Sequence, residues 1–154
     1  MEKSAFKRLT VMVVDDEMFI RNLIARMLRD LGIGEVQMAN DGGDALGKAR
    51  AIAGRLDLVV CDLEMPEMDG FAFVRALRRE SDRALSCLPV LILTGHAEQE
   101  NVEMAVRLGI HGFIAKPVSL NVLESRIVKA LNAPAIDPSR FAATPPGGRL
   151  SRTD

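Results

Sequence analysis

Five side chains in this sequence are of types that can do chemistry together, and each stands just behind a short apolar run. Asp15 and Asp16 follow the run from Leu9 to Val14, and Asp62 follows Leu58 to Cys61. Thr94 follows Val90 to Leu93, and Lys116, backed by Pro117, follows Gly112 to Ala115. Three carboxylates gathered in one place repel one another. Two unit charges about 4 Å apart cost roughly 4 kcal/mol at an effective dielectric near 20. Such a cluster has to share protons or bind a cation. Its ligands are all hard oxygens, with no His or Cys among them, which selects Mg²⁺ (or Mn²⁺) over zinc or copper. Mg²⁺ completes its shell with water and phosphate oxygens, so a phosphate site beside the cluster follows. Asp62 is then a carboxylate nucleophile of the kind that forms an aspartyl phosphate. Lys116 offers a compact positive charge to phosphate oxygens, Thr94 a hydroxyl, and the backbone beyond the strands further N–H donors.

The elements that must position these groups can be read from periodicity. Four of the five apolar runs are nearly unbroken, as expected of parallel strands covered on both faces. The remaining run, Val36 to Ala39, alternates together with Glu35 before it and suits a strand nearer a sheet edge. Helical spacing joins Ile20, Leu23, Ile24, Met27, Leu28 and Leu31, with Gly32 as a stop. Weaker patterns run through Ala45, Ala49 and Ile52, then through Phe71, Val74 and Leu77 behind Asp69-Gly70. A fourth joins Val102, Ala105 and Val106 and closes at Gly109. A fifth joins Leu123, Ile127 and Leu131, with Ser119 as its N-cap. Strand and helix thus alternate five times, which predicts an α/β sandwich on a parallel sheet. The flavodoxin-like, doubly wound order 2-1-3-4-5 puts the alternating strand at an edge. It also puts the ends of the first and third strands together at the topological switch point, where open α/β sheets bind ligands.

Composition sets the outer limits. The 154 residues suit one domain, 48% hydrophobic and 27% charged, with a formal net charge of −1 and a pI near 6.1. That balance gives no bulk field for nucleic acid or an anionic membrane. No apolar run is long enough for a signal peptide or a membrane span, so the expected location is the cytoplasm. The two cysteines, Cys61 and Cys87, lie in apolar surroundings without metal-ligand spacing and read as buried reduced thiols. Residues 1–131 form the expected domain. From 132 to 154, proline and glycine break all periodicity, and a disordered tail is expected.

The quoted residues resemble the receiver domains of bacterial two-component response regulators, over about Leu9 to Leu131. Val13-Val14-Asp15-Asp16 resembles the family's acidic pair. Asp62-Leu-Glu-Met-Pro-Glu-Met-Asp-Gly70 resembles its phosphoacceptor loop. Leu93-Thr94-Gly95 resembles the switch-threonine strand, and Phe113-Ile-Ala-Lys116-Pro117 the aromatic-x-x-Lys-Pro element.

The resemblance implies that Asp62 is the phosphoacceptor. It implies that Asp16, Asp62 and the Glu64 backbone carbonyl bind Mg²⁺, with Asp15 acting mainly through water. Thr94, Lys116 and the Gly95 backbone would contact the phosphoryl group, and the Lys116-Pro117 peptide would be cis. Thr94 and Phe113 would switch together, and Glu64 and His96 would border the path of the attacking water and tune phosphate lifetime. Its partners would be a histidine kinase or histidine phosphotransferase, and a downstream protein on the fourth helix, fifth strand and fifth helix. Beyond slow phosphotransfer and self-dephosphorylation the chain would not be an enzyme. Other readings are a phosphate sink or relay intermediate, a phosphorylation-independent binding module on the same fold, and an aspartate-nucleophile phosphohydrolase. Against the last, Met65-Pro66 follows Glu64 and no cap domain is visible.

Overall fold

The computed structural model describes residues 3–95 and 102–142. Each apolar run becomes a strand: β1 Thr10–Val14, β2 Glu35–Ala39, β3 Leu58–Asp62, β4 Val90–Thr94 and β5 Gly112–Ala115. All four pairings are parallel, in the order β2-β1-β3-β4-β5. β1, β3 and β4 are buried at every position, because helices cover both faces of the sheet. The edge strand β2 is only half-buried until Ala39, as its alternation predicts.

Among the described residues, eight helical segments surround the sheet: α1 Lys3–Phe6, α2 Met18–Asp30, α3 Gly42–Ala51, α4 Gly70–Arg78, α5 Arg83–Ser86, α6 Val102–Leu108, α7 Leu120–Asn132 and α8 Ser139–Ala142. On one face α2 and α7 bury Ile24, Leu28, Leu123 and Ile127 against the sheet, and Phe6 of α1 joins them. On the other, α3, α4 and α6 contribute Leu46, Phe73, Leu77 and Ala105. The five longer helices are those the periodicity predicts. α1, α5 and α8 are four-residue turns, too short to show a period.

Local chemistry sets the ends of these helices. Asp41, Asp69 and Ser119 cap α3, α4 and α7 by accepting the N–H of Asp44, Ala72 and Val122. Gly32, at φ +99°, lets the chain leave α2 through the left-handed region.

Arg78 is 1% exposed at the lower end of α4. Its Nε and Nη2 donate to the Gly109 carbonyl at 3.1 and 2.7 Å, and its Nη1 to the Ser86 carbonyl at 3.0 Å. One guanidinium thus fastens α4 to the ends of α5 and α6. Burial pulls its pKa down to about 10, so it stays charged at neutral pH.

Past α7 the chain passes His111, whose ring bonds to the Pro134 backbone, and α8 lies against α4. His111 is half-buried rather than a surface residue, because that segment and Arg78 lie against it. Of the tail, residues 143–154 lie outside the described residues.

Candidate functional site

β1 and β3 pair in register from Val11↔Leu58 to Val14↔Cys61, so the residues that follow emerge side by side. Carboxylate oxygens of Asp15, Asp16 and Asp62 all lie within 4.8 Å of one another. β4 brings Thr94 beside them, since Asp62 pairs with Leu93, and β5 brings Lys116 through the Thr94↔Ala115 pairing. Lys116 Nζ forms an ion pair with Asp62 Oδ1. The Lys116-Pro117 peptide is cis.

The carboxylates differ in environment. Asp15 is 1% exposed; its Oδ1 accepts the Glu17 N–H at 2.9 Å, while its buried Oδ2 has no hydrogen-bond partner among the described residues. Burial pushes the Asp15 carboxyl up from 3.8 to about 6. The Glu17 N–H and Lys116 oppose the rise, and Asp62 and Asp16 add to it. Burial likewise raises Asp62, helped by Asp16 and Glu64, although the hydrogen bond and charge of Lys116 pull it down. Burial works to lower Lys116, but the bond and charge of Asp62, with Asp15 and Glu17, leave it raised. Asp16 is exposed at the mouth. A buried carboxylate oxygen without a donor, beside two further carboxylates, is a donor set for a hard divalent cation. The residues present therefore fit Mg²⁺.

The loop after β3 holds Asp62 in place. Gly70 donates its N–H to the Leu63 carbonyl at 2.8 Å, and a Cβ there would lie 2.8 Å from the Asp62 carbonyl oxygen. Only glycine lets α4 start this close to the strand. Within the loop Glu67 has φ +67°, and Met68 N–H bonds to the Pro66 carbonyl at 2.7 Å. That is a γ-turn centred on a residue with a side chain, a strained arrangement.

The remaining expected residues fall as follows. Thr94 is buried, and its carbonyl accepts the Lys116 N–H at 3.0 Å. Gly95 is exposed, with open space where a Cβ would stand. Phe113 is packed inside, edge-on to Phe71 with ring centroids 6.4 Å apart. Glu64 is exposed, close enough for its charge to act on Asp62. His96 lies outside the described residues. Cys61 is buried and Cys87 half-buried, and both are free. Sequence reasoning passes over Arg21, whose Nη1 donates to the Asp15 carbonyl at 2.8 Å, because an arginine on a helix ordinarily reads as solvated.

Residues 11–128 match the family model for the response regulator receiver domain. The chain belongs to the response regulator receiver family. Among its relatives, this receiver is 35% identical to chemotaxis protein CheY-3 of Vibrio cholerae over 129 residues, covering 84% of this chain and 96% of that protein. It is 36% identical to chemotaxis protein CheY of Pseudomonas aeruginosa over 119 residues, 77% of this chain and 93% of that one. In structure the receiver resembles the chemotaxis response regulator CheY4 of Vibrio cholerae, with a TM-score of 0.68 at 33% identity, covering 80% and 98% of the two chains. It also resembles the receiver domain of the hybrid histidine kinase CckA, with a TM-score of 0.62 at 31% identity, over 80% of this chain and 99% of that one. Membership places the receiver in two-component signalling and sets the phosphohydrolase reading aside. No described helix is long and apolar enough to cross a membrane.

Proposed function

We propose that Asp62 accepts a phosphoryl group from a phosphohistidine on a histidine kinase or histidine phosphotransferase, and that the receiver then changes its affinity for a downstream protein. The observation that carries this reading is the convergence of Asp15, Asp16 and Asp62 on one point, with Lys116 paired to Asp62. A carboxylate oxygen of Asp62 attacks phosphorus as the P–N bond to the donor imidazole breaks. Lys116, the Thr94 hydroxyl and the Gly95 N–H stabilise the transferred oxygens. Asp16, Asp62 and the Glu64 backbone carbonyl, with Asp15 acting mainly through water, would hold Mg²⁺, which would supply the remaining charge neutralisation. The chain's own chemistry stops at slow phosphotransfer and self-dephosphorylation, whose rate Glu64 and His96 tune.

The output is a shift between two conformations. Phosphate draws Thr94 toward Asp62, and the Phe113 ring holds the space that this opens. Reversing a 1:99 population takes roughly 5.5 kcal/mol of differential interaction, within reach of a phosphoryl group facing Lys116. The partner face is α6, β5 and α7; the exposed apolar Val106, Leu120 and Val122 on these helices support it. The free thiols of Cys61 and Cys87 suit a reducing compartment, the cytoplasm.

The test is intact mass after incubation with acetyl phosphate, with and without Mg²⁺. A phosphate adduct that needs Mg²⁺ and vanishes in Asp62→Asn supports the reading. An adduct that persists in Asp62→Asn would refute Asp62 as acceptor.

A further inference from the structure

The corner between β1 and α2 carries two of the three clustered carboxylates, and one residue, Arg21, holds that corner by its side chain on one side and by its backbone N–H on the other. Asp15 N–H bonds back to the Ala39 carbonyl at 3.2 Å, extending the β1–β2 ladder by one residue. The chain then leaves the sheet. Its next carbonyl, that of Asp15, accepts Arg21 Nη1 at 2.8 Å. Two residues on, the Glu17 carbonyl accepts the Arg21 N–H at 2.9 Å, as the first turn of α2 closes. Asp16 is bracketed between two residues that are both fastened to Arg21.

This bracket bears on the aim of Asp16. The peptide unit joining Asp15 to Asp16 is planar, so fixing its carbonyl fixes the nitrogen and Cα of Asp16 as well. Asp15 has further anchors: it is buried, and its carboxylate takes the Glu17 N–H. Asp16 is exposed, yet its carboxylate has to converge with those of Asp15 and Asp62. The N-cap of α2, Glu17, makes no side-chain capping bond. With no side-chain cap at this helix start, the guanidinium of Arg21 anchors the corner instead through its bond to the Asp15 carbonyl.

We infer that Arg21 is a positioning residue for the cation site, holding the Asp15–Asp16 peptide so that the Asp16 carboxylate points at Asp62. The inference rests on the reading that the acidic cluster binds Mg²⁺.

Charge and geometry make opposite forecasts here, which makes the inference easy to test. Removing a positive group near a cation site strengthens cation binding by Coulomb's law alone. Removing a positioning bond weakens it. The experiment is calorimetric titration of Mg²⁺, and separately of Mn²⁺, into the wild type, Arg21→Met and Arg21→Lys, with thermal unfolding in EDTA followed by circular dichroism. We expect Arg21→Met to bind Mg²⁺ about tenfold more weakly, the size of one lost charge-assisted hydrogen bond. Arg21→Lys keeps the charge and one donor, and it should recover part of that loss. Unchanged or tighter Mg²⁺ binding by folded Arg21→Met would overturn the inference and leave the cation site standing. So would a lower melting temperature with unaltered Mg²⁺ affinity, which would mark Arg21 as a helix fastener only. Failure of the wild type to bind either metal would overturn both the site reading and this inference.

Discussion

Replacing Asp15 by asparagine should stabilise the metal-free protein at neutral pH, although Asp15 is among the most buried residues of the site. The folded state holds a proton on Asp15 up to about pH 6, against 3.8 for an ordinary aspartate. A carboxyl raised in this way favours folding fully at low pH, and the advantage is lost as pH rises through the folded value. Each tenfold difference in proton affinity is roughly 1.4 kcal/mol, so the loss reaches about 3 kcal/mol as a ceiling. The asparagine side chain of the variant carries no charge at any pH and escapes the loss. Urea unfolding in EDTA, from about pH 4 to about pH 7.5, measures both proteins across this range. With no Trp or Tyr in the chain, far-UV circular dichroism is the signal to follow. The variant should be the more stable form at the upper end, by up to about 3 kcal/mol, with the gap closing toward the lower end. Saturating Mg²⁺ should reverse the order, since a ligand at about 100 times its Kd adds roughly 2.7 kcal/mol to the protein that binds it. Parallel pH profiles, or a variant less stable at pH 7.5 in EDTA, would refute burial and mutual repulsion as the state of this cluster.

Other expectations follow from single contacts. Arg78→Met leaves the Gly109 and Ser86 carbonyls buried without their donor and should cost about 2–4 kcal/mol in urea unfolding, part of it regained in Arg78→Lys. Gly70→Ala drives a methyl group against the Asp62 carbonyl; it should destabilise by about 1–3 kcal/mol and slow phosphorylation from acetyl phosphate. Glu67→Gly removes a side chain from a left-handed γ-turn and should raise stability by up to about 1 kcal/mol, read as a higher urea midpoint.

The parallel sheet and the acidic crevice at its strand ends could be read from the sequence for one reason. Buried parallel strands are apolar on both faces, so Asp15, Asp62, Thr94 and Lys116 stand out where each strand ends. Capping was legible at Ser119 because its side chain acts on an N–H group three residues on. What stayed hidden depends on contacts distant in sequence or on backbone angles. Arg78 shares α4 with Arg75, is followed by Arg79, and looks like one of a solvated set. Its place four residues after the buried Val74 was the available clue. Glu67 gives no sign of its positive φ. α5 and α8 are single turns, formed where the chain packs against the rest of the fold rather than from any pattern of their own.

The bond from Arg78 to Gly109 has a mechanical consequence. Gly109 is where the chain leaves α6 on its way to β5, and two N–H groups clamp its carbonyl to α4. The opposite end of α6 is the one nearer in sequence to Thr94. A tug at Thr94 therefore meets a rod with one end bolted down. If phosphorylation pulls on Thr94, α6 would turn about Gly109, with its displacement greatest near Val102 and vanishing at the bolt, so a partner that senses such a motion would gain most by gripping the free end.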